Sequence, residues 1–191
     1  RDRYCSVTGF GQTGPRRDQP AYDFLIQAMG GLMSVTGERD GLPGAGPQKV
    51  GVPIVDLMTG MYTAVAVLGA LAQRERTGQG EFIDVAMLDV QVASLANQAM
   101  NYLVSGKVPR RNGNAHPNIQ PQDVYSCADG DVILVVGNDG QYAKLCEALG
   151  RPELATDARY ATNAQRVRHI AELSATLRDL FGAWPRERLI A

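Results

Sequence analysis

Between Val50 and Met87 the chain reads VGVPIVDLMTGMYTAVAVLGALAQRERTGQGEFIDVAM, and this stretch limits the possible folds more than any other. From Leu57 to Arg76 the large side chains recur at helical spacing (Leu57, Met61, Val65, Leu68, Leu71), with small residues such as Gly60, Ala64 and Gly69 between them. A helix with so little bulk lets other backbones come close, so the pattern predicts a buried central helix. Asp56 stands alone among apolar neighbours at or next to its first turn, just after Pro53. Backbone N–H groups there lack intrahelical partners, and the helix dipole favours negative charge. Two readings fit the local pattern. Asp56 is a plain N-cap, or it is a nucleophile held, with the oxyanion it generates, by those same donors in an apolar site.

The flanking segments place this helix in an alternating fold. Tyr4 to Thr8 reads as a buried strand, followed by the glycine-rich exit GFGQTGP, the kind of loop where α/β proteins bind ligands. That loop is neither a Walker loop nor a GxGxxG that opens a helix, so a tight connection fits it as well. Ala21 to Met33 carries an apolar helical face opened by Tyr22 and Asp23, and 38–52 is a loop rich in Gly and Pro. Phe82 to Ala86 reads as a strand and Met87 to Val104 as a helix. Strand, helix, strand, helix predicts an α/β layer with parallel strands over 1–105. Residues 106–120, polar and rich in Pro, Asn and Arg, predict a linker. Over 121–191 a hairpin around Ala128-Asp129-Gly130, a short helix from Gln141 to Leu149, a helix capped by Asn163 and a last turn from Pro185 predict a small α+β domain, incomplete at its C-terminus.

Charge narrows the partners. A net charge of −1 carries no bias toward nucleic acid or an anionic membrane. The apolar run after Asp56 ends in Gln73, Arg74, Glu75 and Arg76, too soon for the reading of a spanning segment. Three cysteines, an odd count without CxxC spacing, fit a reducing, cytoplasmic setting with thiols buried as small apolar groups, and no metal site is expected. The chain opens without Met on a strand and closes inside a helical pattern, which predicts a segment of a longer polypeptide.

Four segments in order, SVTGFGQTGP (Ser6 to Pro15), AYDFLIQAMGGLMSVTG (Ala21 to Gly37), VPIVDLMTGMYTA (Val52 to Ala64) and RERTGQGEFIDVAMLD (Arg74 to Asp89), resemble the family III CoA-transferases. The resemblance continues through GNAHPNIQPQDVY and the hairpin. It implies a Rossmann-like large domain, an interlocked homodimer, acyl-CoA and small carboxylic acids as substrates, and coenzyme A as the group carried. Asp56 matches the catalytic aspartate, Tyr22 a tyrosine lining the CoA pocket and Met87 a methionine beside the cofactor. Gln12 is a candidate to reach the acyl group, with a solvated turn as the plain alternative. His116 is a candidate to bind a substrate carboxylate, or else a surface or interface residue. The run ARYATNAQRV is similar to members acting on succinate and hydroxymethylglutarate, which implies dicarboxylic acyl groups. The related CoA racemases have histidine where Tyr22 stands, and a phenol, with an ordinary pKa near ~10, exchanges protons poorly at neutral pH. Transfer is therefore preferred to epimerisation of 2-methylacyl-CoA; a non-catalytic acyl-CoA-binding fragment is the third reading.

Overall fold

The computed structural model describes residues 4–190, and they form two compact units that divide after Arg111. In the first, β1 (Tyr4–Thr8) and β2 (Phe82–Ala86) pair in parallel, Tyr4 opposite Phe82 and Thr8 opposite Ala86. Between them the chain makes α1 (Asp23–Met29), α2 (Leu32–Val35) and α3 (Ile54–Thr77); α4 (Met87–Ala93) and α5 (Asn97–Ser105) follow β2. Parallel neighbours cannot be joined by a tight turn, so a long crossover is required. This part of the chain is α/β.

Local chemistry sets the ends of α3. Pro53 precedes its first residue, where a missing N–H costs nothing. Gly78 closes it at φ +70°, donating its N–H to the Arg74 carbonyl at 2.8 Å. Only glycine takes that left-handed turn without a Cβ penalty. The helix expected over Met87 to Val104 is two helices. The backbone tightens through Leu95 N–H to Val92 O (3.2 Å) and Ala96 N–H to Ala93 O (3.4 Å), and Ala96 sits at φ +48°. Apolar spacing continues through that break, so periodicity alone fuses the two.

Burial departs from expectation in three places. The central helix is not buried along its length: Val55, Thr59 and Ala70 are, but Leu57, Met61, Val65 and Leu68 are more than half exposed. The reason is geometric. α3 packs on α1, α4, β1 and β2, which cover one side of a helix that is apolar on several. Among the described residues α3 alone is long and apolar enough to cross a membrane by length and composition, so the sequence reading of that run as too short is corrected. In β1 only Ser6 is buried, and Cys5, facing away from it, is exposed.

The second unit builds its own core. β3 (Gln122–Cys127) and β4 (Gly130–Val135) form an antiparallel hairpin, followed by α6 (Asp139–Ala148), α7 (Glu153–Thr156), α8 (Asn163–Arg168), α9 (Ile170–Gly182) and α10 (Arg186–Ile190). Tyr125, Cys146, Leu173, Leu177 and Phe181 are at most 1% exposed in it, and the Tyr125 and Phe181 rings stack with centroids 4.9 Å apart. Each such apolar side chain contributes about 1.5–3 kcal/mol on burial, and burial pushes the Cys146 thiol pKa up. The cap of α8 is Thr162, whose side chain accepts from Gln165 N–H, not Asn163. Asn163 is turned to the preceding loop, accepting from Gln120 N–H at 3.0 Å and donating to Asn118 O at 2.9 Å. Beside it lies Arg166, fully buried, donating to the carbonyls of Gln120 and Tyr160 and to Asp139 at 2.7–2.8 Å, with its guanidinium over the Tyr142 ring.

Candidate active site

Asp56 lies in the first turn of α3 without being its cap. The capping work is done from α1: Asp23 Oδ1 accepts from Val55 N–H at 2.7 Å, and its Oδ2 accepts from Gln27 Nε2 at 2.6 Å. Gln27, fully buried, accepts in turn from Val50 N–H at 2.9 Å. The N-cap reading of Asp56 is thereby excluded, and one of the helix donors offered to an anion is already taken. Among the described residues the Asp56 carboxylate has no hydrogen-bond or ion-pair partner. It is exposed, where an apolar, enclosed site was expected.

An open cavity of about 320 Å³ lies beside it, lined by Val7 of β1, Met87 where β2 passes into α4, and Asp56, Thr59, Gly60 and Thr63 of α3. Asp56, Thr59 and Thr63 share one helix face by their spacing. The cavity stands at the carboxyl ends of parallel strands, where open α/β sheets bind ligands. Asp56 and Met87, far apart in sequence, meet here; Tyr22, Gln12 and His116 do not line the cavity.

Tyr22 is the residue before Asp23 and is 78% exposed. Its segment passes close to the chain leaving β1: a Cβ at Gly9 would collide with that of Ala21, so glycine permits the approach. Gln12 is tied to the sheet: its N–H donates to Asp84 Oδ2 at 2.8 Å and its amide to the Ser6 hydroxyl. Gly11, at φ +82°, lets that loop turn back over Asp84. His116 belongs to the second unit, where Nδ1 accepts from the N–H groups of Asn118 and Ile119 at 3.1 and 3.0 Å, so the ring proton of its neutral form is on Nε2. Sequence reasoning missed Gln27 and Thr59, and took Asp23 only as the opening of its own helix. Asp23 and Gln27 at i and i+4 were a readable signal for a polar link, and Thr59, three residues after Asp56, was a readable break in an apolar face.

A family model described as CoA-transferase family III matches residues 4–191. The chain belongs to CoA-transferase family III. It is 51% identical over 187 residues to the succinate–glutarate CoA-transferase of Agrobacterium fabrum, covering 98% of this chain and 46% of that protein. It is 43% identical to the succinyl-CoA:glutarate CoA-transferase of Mus musculus, covering 93% and 40%. Among solved structures, a CAIB/BAIF family protein from Brucella suis superposes with a TM-score of 0.75 at 51% identity, covering 98% of this chain and 48% of that one. The chain thus spans about half the length of the family III relatives it matches.

Proposed function

We propose that the protein transfers coenzyme A from an acyl-CoA, succinyl-CoA or a similar dicarboxylyl-CoA, to a carboxylic acid, with Asp56 as the nucleophile. The observation that carries this reading is the Asp56 carboxylate, free of partners among the described residues, opening with Met87 on one cavity. Similarity to relatives named for succinate and glutarate supports the acid class.

In this mechanism an Asp56 oxygen adds to the thioester carbonyl carbon and the carbon–sulfur bond breaks, giving a mixed anhydride and CoA thiolate. The thiolate attacks the aspartyl carbonyl, forming an enzyme thioester and releasing the first acid. The acceptor carboxylate attacks that thioester and restores an anhydride with thiolate. The thiolate then takes the acceptor's acyl carbon, and Asp56 returns as a carboxylate. Every step keeps one activated acyl bond, so no ATP is consumed. Holding the carboxylate against the carbonyl replaces a slow encounter by an intramolecular one. Met87 packs beside the thioester arm, and Tyr22, exposed and outside the cavity, offers its ring to the bound CoA.

The test uses the full-length protein with succinyl-CoA and glutarate. Asp56→Asn is expected to abolish transfer, and mass spectrometry of the wild type is expected to find acyl or CoA mass on the peptide bearing Asp56. Undiminished transfer by Asp56→Asn would refute the assignment.

A further inference from the structure

We infer that Thr59 contacts the substrate, its hydroxyl donating a hydrogen bond to the carbonyl oxygen of the acyl group that reacts at Asp56; this rests on the CoA-transfer reading above. Thr59 is 2% exposed, and its Oγ1 has no hydrogen-bond partner among the described residues. A buried hydroxyl left unpaired is destabilising, because it has given up water without gaining a partner. A helical threonine has an ordinary remedy, the carbonyl four residues back. Thr63 takes it from Thr59 O at 2.7 Å, Thr77 from Gln73 O and Thr176 from Glu172 O, both at 3.0 Å. Thr59 does not take it from Val55: the residue lines the cavity that Asp56 lines, and its Oγ1, buried in the wall, stays uncommitted until a turn about χ1 brings it to a ligand.

Among the side chains around the cavity, elimination leads to the same atom. Val7, Gly60 and Met87 have no side-chain donor, and the Thr63 hydroxyl is spent on Thr59 O. The Val55 N–H is spent on Asp23. Of the described lining side chains, Thr59 alone holds a free O–H. When an Asp56 oxygen adds to the thioester carbon, the carbonyl electron pair moves onto its oxygen. The Thr59 O–H hydrogen-bonds to that oxygen and keeps its proton while CoA thiolate leaves. Such a donor strengthens as charge develops, so the cost of its isolation in the empty site is offset in the transition state.

The experiment compares Thr59→Val and Thr59→Ser with wild type at full length, reading transfer from succinyl-CoA to glutarate and the thermal midpoint. Valine keeps the shape and removes the orphaned hydroxyl. It is expected to lower kcat by roughly 10²-fold, the loss seen for a single oxyanion donor, with KM for succinyl-CoA unchanged and Tm unchanged or raised. Serine, which keeps the hydroxyl, is expected to recover most of that loss. Wild-type kcat in Thr59→Val, or a serine variant as impaired as valine, overturns the inference while leaving CoA transfer standing. A wild type with neither transfer nor an Asp56 adduct overturns both.

Discussion

Gly60 sits in the second turn of α3, where glycine costs about 0.5–1 kcal/mol relative to alanine. A Cβ there would meet nothing within 4 Å, so packing within the chain does not demand the glycine; the space above it belongs to the Asp56 cavity. Gly60→Leu is therefore expected to leave the thermal midpoint unchanged or raise it, and to cut transfer about tenfold or more by filling the acyl path. Steady-state assays beside thermal melts decide it: full activity with an unchanged melt would mean that the acyl group runs elsewhere. The same scale explains Asp157, whose carboxyl is held down at about 2 by hydrogen bonds from the Arg159 side chain and N–H. A depressed carboxyl contributes stability above its ordinary titration range near ~4 and loses it as pH falls toward that lower value.

At the scale of elements, Asp23 joins α1 to α3 by serving as the missing cap of a helix 32 residues away in sequence. Removing a cap costs about 0.5–2 kcal/mol, so Asp23→Ala is expected to lower stability by that amount in urea unfolding. It is also expected to reduce transfer, because the first turn of α3 carries Asp56. Stability lost with activity intact would separate the cap from the site. In the second unit the corresponding lock is Arg166. Its removal strands the buried carbonyls of Gln120 and Tyr160 without donors and breaks the bond to Asp139, a combination expected to cost about 3 kcal/mol or more. Arg166→Met should therefore shift the urea midpoint of that unit far more than Arg168→Met, an exposed-helix control.

For the whole molecule, the exposed stripe Leu57, Met61, Val65 and Leu68 is the dominant feature. Contiguous apolar surface of this kind marks a face that something covers, and the chain spans about half the length of its family III relatives. The 191-residue chain by itself is expected to bind a hydrophobic dye strongly, and the full-length protein weakly. Replacing Val65 and Leu68 by Glu should reduce the dye signal of the shorter chain. Equal dye binding by the two lengths would show that this face stays open.

Periodicity and punctuation alone determined much of this protein. The strands Tyr4–Thr8 and Phe82–Ala86, the long helix after Pro53 and the hairpin at Gly130 are local events, set by side-chain spacing and by glycine and proline geometry. The order of four motifs likewise pointed to the family before any contact was known. What the chain could not show in one dimension is which polar atom finds which partner. Asp23 rather than Asp56 caps α3, Thr162 rather than Asn163 caps α8, and Thr59 is left without a bond. Around α3 those outcomes depend on how α1 and the strands pack against it, and at α8 on the loop backbone at Asn118 and Gln120, more than forty residues before Asn163.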